Sequence, residues 1–257
     1  MLAAIGRPFR TGFLTLLQNL ALSARVLVLS LSPASWRAPA RRQMFRLLRQ
    51  SLLGGLGATL FLGMLIGAGL VFQGIALAGA ADQRELLASV LVRVLVRELA
   101  PVLVGFVILG RSGLVALAEL NALRRSGAAR LLALQGVDIF ALYALPAAAA
   151  FALACLTLGI LFVAVALVSG GTLAFLLSST EVALLDSLHE VLRAMRPADT
   201  LLFPLKLLLL GGLVGVTAAH TALGAAAERS TAQLLPTGFV RGALAVLLAS
   251  ALLSLAG

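Results

Sequence analysis

Two long stretches of the chain, residues 50–81 and 139–180, contain no Asp, Glu, Lys or Arg. About 20 apolar residues in a helix cross the roughly 30 Å of hydrocarbon in a bilayer, so each stretch is long enough to span a membrane. A chain inside hydrocarbon must satisfy its backbone hydrogen bonds internally, and uninterrupted apolar runs of this length do so as helices. The sequence therefore predicts an all-α membrane protein.

Composition supports this class and excludes others. Of the 257 residues, 61% are hydrophobic and 12% are charged, and the formal net charge is +10. Soluble domains are about half apolar and about one quarter charged. Because most arginines flank apolar runs, the positive charge indicates membrane orientation and contact with anionic headgroups rather than nucleic-acid binding. The single cysteine, Cys155, cannot form a disulfide within the chain.

Five transmembrane helices are predicted from the apolar runs. Their approximate bounds are 50–81, 86–110, 139–180, 201–222 and 240–257. In the first run, Gly63 and Gly67 are four residues apart, a spacing that lets two membrane helices pack closely. The pair Gly170–Gly171 is predicted to end the third helix, and residues 224–239 are predicted to form a polar loop before the last one.

Two amphipathic segments are predicted to lie in the membrane interface rather than to cross it. Residues 1–50 form an N-terminal interfacial helical region, separate from a five-span domain over 51–257. A signal peptide with Arg7 and Arg10 as its basic end is the alternative for the beginning of the chain. Residues 181–199 are predicted to form a second interfacial helix.

Arginines also predict the orientation. They are concentrated in the first 50 residues and in the segment 111–138, and sparser and mixed with acidic residues on the other side. The positive-inside rule places the N-terminus and segment 111–138 in the cytoplasm, and five spans then place the C-terminus outside.

The second predicted span contains charged residues, which are unfavourable inside a membrane. Arg93 and Arg97 are one helical turn apart, and Glu98 follows Arg97. Each charge at mid-bilayer costs about 2.5–3.5 kcal/mol on insertion scales. Pro101 has no N–H to donate to the carbonyl of Arg97, so that carbonyl is left beside the charges. We expect a polar cavity here; the alternative is that the arginines reach the nearby headgroups and Glu98 only pairs with one of them.

Segment 111–138 combines an apolar side with a polar one. Its polar side consists of Glu119, Arg124, Arg125 and Arg130. A short helix that lies under the membrane and meets a soluble partner has this pattern, and so does an ordinary loop helix. The pattern alone leaves both interpretations open.

Motifs for catalysis and cofactor binding are missing from the sequence. There is no G-x-x-x-x-G-K-[ST] phosphate loop, and the only lysine, Lys206, follows Leu205. There is also no H-E-x-x-H motif, no Cys/His cluster for zinc and no G-x-S-x-G elbow. We therefore expect a non-enzymatic chain without a cofactor of its own.

A series of short motifs in the central block resembles the MlaE permease family, the membrane subunits of ABC systems that work with MCE-domain proteins. The motifs are E-L-A-P-V-L at 98–103, G-R-S-G at 110–113, A-E-L at 118–120 and G-V-D at 136–138. The likeness covers about residues 40–257. The sequence departs from the family at Ser126–Arg130, where an acidic T-E-Q-like stretch is usual, and at Ile139, where proline is usual.

The resemblance implies a homodimeric five-span permease of the bacterial inner membrane, with a cytoplasmic ABC ATPase that binds ATP and magnesium, and a periplasmic MCE-domain protein. It implies glycerophospholipid as the cargo, moved between inner and outer membranes. Arg97 and Glu98, with Arg93 and Pro101 beside them, would line the lipid cavity at the dimer interface. Residues 114–135 would be the coupling helix. The residues implied to contact the ATPase are Glu119, Arg124, Arg125, Arg130 and Asp138.

Two other functions remain open at this stage. An ATP-independent secondary transporter is one, although such proteins are usually built from internal repeats of spans, and the five unequal spans show none. A membrane lipid-binding scaffold is the other. Association with a nucleotide-binding subunit separates both from the ABC permease.

Overall fold

A computed structural model describes residues 38–78, 94–177, 197–224 and 230–256, which are almost entirely helical. The helices are α1 (Ala38–Ala78), α2 (Leu95–Arg125), α3 (Ala128–Leu134), α4 (Ile139–Leu177), α5 (Pro197–Gly224) and α6 (Thr231–Ala256). Within these ranges there is no β-strand, and α1, α2, α4, α5 and α6 are long and apolar enough to cross a membrane. The predicted class and the number of candidate spans are thus confirmed.

Several helix boundaries differ from the sequence prediction, among them the end of α2, which continues past the predicted residue 110 to Arg125. Helix α1 begins at Ala38 and runs without a break through residue 50. Helix α4 continues through Gly170–Gly171 to Leu177, because glycine is tolerated in a helix where a close neighbour needs the space. A Cβ atom at Gly170 would stand 2.8 Å from a methyl group of Val71 and 3.1 Å from the carbonyl oxygen of Gly67.

The last helix begins before the predicted position, since residues 231–239 are helical rather than a loop. Ser230 precedes its first turn, and the backbone N–H of Ser230 donates to Oε1 of Gln233 at 3.3 Å, which is one half of a capping box; the N–H of Gln233 donates to the backbone carbonyl of Ser230. Pro236 lies within the first two turns of this helix, near the end where proline is best tolerated. The predicted interfacial segments lie outside the described residues over 1–37 and 178–196.

Small residues bring α1 and α4 into close contact. Every fourth residue along one face of α1 is small and buried: Ser51, Gly55, Thr59, Gly63 and Gly67. A Cβ atom at Gly63 would lie 3.0 Å from the carbonyl oxygen of Phe162, and one at Gly67 would overlap the carbonyl of Ala166. The two backbones can approach this closely only because these positions have no side chain.

Helix α5 packs on the other side of α4 in the same way. Cβ atoms at Gly211 and Gly215 would collide with the backbone of α4 at Phe151 and Ala148. Phe151 and Leu207 are completely buried in the core that results. Large apolar side chains instead face outward along α1, at Leu53, Phe61, Met64, Leu65 and Phe72. Such a surface suits contact with lipid rather than water.

Candidate functional site

Four polar residues from three helices meet at one end of the bundle. They are Arg97 and Glu98 near the start of α2, Lys206 near the start of α5 and Ser254 near the end of α6. We call this group the Lys206 cluster. Distant parts of the sequence form it, since Arg97 and Ser254 are separated by 157 positions.

Lys206 is the centre of the cluster. Its side chain is only 7% exposed. The Nζ atom donates to the carbonyl oxygen of Arg97 at 2.8 Å and to Oγ of Ser254 at 2.7 Å. It also lies 3.4 Å from Oε2 of Glu98. An ammonium group has three donors, so the cluster provides an acceptor for each of them.

The backbone of α2 explains why the Arg97 carbonyl is available. Pro101 is buried and cannot donate the N–H that would close the α-helical turn. The preceding turn, Leu95–Leu99, is π-helical, with the N–H of Ala100 bonded to the carbonyl of Leu95. Widened turns of this kind often occur at functional sites. Here the turn presents a carbonyl to the ammonium group of Lys206.

Arg97 and Glu98 form the outer part of the cluster. Nη2 of Arg97 donates to the carbonyl oxygen of Ser254 at 3.3 Å, near the C-terminal end of α6. The side chain of Glu98 is 43% exposed, in contrast to the buried Lys206 that it faces. The buried ammonium group of Lys206 is therefore covered by two charged side chains, of which the Glu98 carboxylate is partly open to the surface. Arg93 lies outside the described residues.

Sequence reasoning identified Arg97, Glu98 and Pro101 but did not assign Lys206 or Ser254 to this site. Lys206 carried a usable signal, because it is the only lysine of the chain and lies in an apolar span. Ser254 carried none, since serines are common in membrane helices.

A second polar group ties α2 to its neighbours at the opposite end of the bundle. Nδ2 of Asn121 donates to Oγ1 of Thr231 at 3.0 Å, and Asn121 is buried. Nη1 of Arg124 donates to the carbonyl oxygen of Ala222 at 2.6 Å. Ala222 lies near the C-terminus of α5, where the helix dipole stabilises a cation. Glu119 forms an ion pair of 2.8 Å with Arg46 of α1.

The region predicted as one coupling helix over 114–135 is divided in the structure. Residues up to Arg125 continue α2, with Leu117 and Asn121 buried in the bundle, and only then does α3 begin. The break is at Gly127, whose positive φ of 77° favours glycine. The leucine pattern of 114–125 therefore faces other helices rather than a membrane surface.

The exposed part of this region lies at the end of α2 and along α3. Arg125, Arg130 and Asp138 are exposed. Leu131 and Leu134 are 63% and 76% exposed. Of the residues predicted to contact an ATPase, Glu119 and Arg124 have contacts within the chain, whereas Arg125 and Arg130 are exposed.

Membrane-length helices packed through small residues, with an ionic cluster at one end, define a polytopic membrane protein. Among the described residues, no group of three or more His, Cys, Asp or Glu side chains is placed to hold a metal ion. The family model described as Permease MlaE matches residues 44–256. The chain therefore belongs to the MlaE permease family and is the permease subunit of an ABC transporter, a type of assembly that includes an ATPase. A search of curated proteins finds no significant match.

Proposed function

We propose that this permease moves glycerophospholipids between the inner and outer membranes as one of two identical membrane subunits, together with a periplasmic MCE-domain protein. ATP and magnesium bind to the separate ATPase subunit, because the chain has no phosphate-binding loop of its own.

The observation that supports this proposal is the composition of the Lys206 cluster. A phospholipid headgroup contains a phosphate, and the commonest bacterial headgroup type adds an amine. Arg97 supplies positive charge for the phosphate, the buried Lys206 behind it adds to the positive potential, and the partly exposed Glu98 supplies negative charge for an amine. Ionisable groups within a membrane helix are costly, so their presence favours a role in binding cargo.

Orientation follows from the arginines and from the topology. Arg42, Arg46 and Arg49 lie at the start of α1, and Arg124 and Arg125 lie at the end of α2. The positive-inside rule assigns this end of the bundle to the cytoplasm, and the C-terminus to the periplasm. The Lys206 cluster then lies toward the periplasmic end, on the side where an MCE-domain protein would contact the permease.

The cytoplasmic end provides the docking surface for the ATPase. Arg125 and Arg130 are exposed and charged, and Leu131 and Leu134 add apolar area beside them. Interfaces commonly combine apolar residues with a charged rim in this way. We place ATPase docking on these residues of α3 and the adjoining end of α2, with Asp138 at the border.

Reconstitution tests the proposal. The wild-type chain is expressed with its cognate ATPase, placed in liposomes, and assayed for ATP-dependent transfer of a fluorescent phospholipid. The double variant Arg97→Leu/Glu98→Leu is expected to lose transfer while the ATPase still co-purifies. The single variant Glu98→Gln removes the negative charge and keeps the side-chain size. The control variant Arg42→Leu removes an exposed charge at the opposite end of the bundle.

Each outcome discriminates between functions. Normal transfer by the double variant would show that the Lys206 cluster is not the lipid site. A wild-type chain that purifies with no ATPase and transfers lipid without ATP would instead be a secondary transporter, and one that only retains lipid would be a scaffold.

A further inference from the structure

Helices α1 and α2 run antiparallel in a regular register along the outer surface of the bundle. Arg46 pairs with Glu119, and eight positions further along each helix Gly54 lies opposite Arg111. A Cβ atom at Gly54 would stand 3.8 Å from Nε of Arg111. With a rise of 1.5 Å per residue, Arg111 lies about 12 Å further into the bundle than the Arg46–Glu119 ion pair.

The two polar ends of α2 locate Arg111 relative to the membrane. Glu98 and Glu119 are separated by 21 positions. That separation is about 32 Å along a helix, close to the roughly 30 Å of the hydrocarbon layer. The backbone of Arg111 therefore lies inside the apolar layer, in the half nearer to the arginine-rich end.

Arg111 is exposed at this depth and has no acidic partner among the described residues. It lies in the π-helical turn Leu109–Gly113, which directs Ser112 and Gly113 into the core and leaves Arg111 on the outer face. No side chain covers the surface beside Arg111 at Gly57 or Gly110, since nothing lies within 4 Å of a Cβ atom built at either glycine. The guanidinium is thus accessible from the surrounding lipid.

An exposed arginine in the apolar layer needs an anion, because the uncompensated charge is costly there. A guanidinium binds phosphate with two parallel hydrogen bonds, and basic sites between membrane helices bind anionic headgroups. Inorganic phosphate does not partition into this layer, whereas a lipid brings its phosphate with apolar chains attached. Exposed Leu53, Phe61 and Met64 on α1 provide an apolar surface for those chains.

We propose that Arg111 binds the phosphate of an anionic phospholipid at the outer α1–α2 surface, in the leaflet at the arginine-rich end. This site is distinct from the Lys206 cluster, which lies at the other end of α2. It does not depend on which molecule the permease transports.

Site-resolved photo-crosslinking tests the proposal. The full-length permease, purified with its ATPase, is placed in nanodiscs that contain phosphatidylglycerol with a photoactivatable acyl chain, and the labelled peptides are identified by mass spectrometry. Labelling is expected in the peptides of α1 around 53–64 and of α2 around 106–115. Arg111→Gln is expected to lower it about tenfold, the order of one charge-assisted contact, and Arg111→Lys to lower it less.

Matched controls separate this site from general effects. Arg42→Gln removes one exposed charge at the same end, 12 positions before Gly54 on α1, and is expected to leave labelling unchanged. Gly54→Leu fills the surface under Arg111 and is expected to lower labelling while keeping the charge. Unlabelled phosphatidylglycerol should compete better than phosphatidylcholine, and glycerol phosphate should not compete.

Several results would overturn the inference. One is equal labelling of wild-type and Arg111→Gln chains; another is an equal loss in Arg42→Gln, which would indicate bulk charge only. Competition by glycerol phosphate would indicate a free-phosphate site. Lipid labelling of residues 1–37 or of another subunit, without labelling of the α1 and α2 peptides, would show that the lipid does not lie against Arg111. Loss of labelling at the Lys206 cluster alone would concern the proposed transport function and not this site.

Discussion

The ammonium group of Lys206 lies 2.8 Å from the carbonyl oxygen of Arg97, 109 positions earlier in the chain. The contact joins two features that are unfavourable when separate: a buried lysine in a membrane helix, and a carbonyl that Pro101 cannot pair. Each compensates the other, and the same ammonium group also binds Ser254. The outer charges, Arg97 and Glu98, are therefore held on a backbone that α5 and α6 fix in place.

The first prediction concerns Lys206. Lys206→Met is expected to destabilise the permease by about 1–2 kcal/mol, because the Arg97 carbonyl and the Ser254 hydroxyl lose their donor in a buried site. Thermal unfolding in detergent measures the change. Lys206→Arg keeps a charged donor and is expected to retain part of the stability. An unfolding temperature for Lys206→Met equal to that of the wild type would mean that the cluster contributes nothing to the fold.

The second prediction uses two glycines of α1. Gly67→Ala is expected to destabilise the protein by about 1–3 kcal/mol, because its Cβ would overlap the Ala166 carbonyl and push α1 away from α4. Gly57→Ala is the matched control, since nothing lies within 4 Å of a Cβ there. That change favours the helix by up to about 1 kcal/mol. Equal unfolding temperatures for the two variants would disprove the close α1–α4 contact.

The sequence predicted the spans well because charge-free runs reflect the bilayer directly. The lengths of 50–81 and 139–180 were enough to identify α1 and α4. Helix ends were less predictable. The glycines at 170–171 suggested the end of a helix, but the helix continues and Gly170 packs closely against α1. The start of α6 was signalled by Ser230 and Gln233, which form one half of a capping box that a reading of hydropathy alone does not detect.

The site was predicted only as far as local sequence allows. Arg97, Glu98 and Pro101 lie within five residues of one another, so the combination of charges and a proline in an apolar span is visible in one stretch of sequence. Lys206 and Ser254 reach them only through packing of α2 against α5 and α6, which no local pattern encodes. For the same reason, Leu117 indicates an apolar side but cannot show whether that side meets lipid or another helix.

Helices α2, α5 and α6 are joined at both ends by polar contacts. The Lys206 cluster joins them at one end, and the contacts of Asn121 with Thr231 and of Arg124 with Ala222 join them at the other. Polar contacts between membrane helices add to van der Waals packing. These contacts hold the three helices against one another at both ends of the bundle.

The third prediction separates residues that hold this bundle together from residues that we propose to contact the ATPase. Arg125→Glu/Arg130→Glu reverses two exposed charges and is expected to lower co-purification of the ATPase about tenfold or more, with an unchanged unfolding temperature. Arg124→Glu instead removes the donor to the Ala222 carbonyl and places a carboxylate at the negative end of α5.

Arg124→Glu is therefore expected to lower the unfolding temperature of the permease alone, before any partner is added. Arg124 and Arg125 are neighbours in the sequence, but their substitutions affect different measurements. Arg124 is half-buried between helices, whereas Arg125 is exposed. Retention of the ATPase by Arg125→Glu/Arg130→Glu at the wild-type level would remove α3 and the adjoining end of α2 from the docking surface. A stable Arg124→Glu variant that loses the ATPase would return Arg124 to that surface.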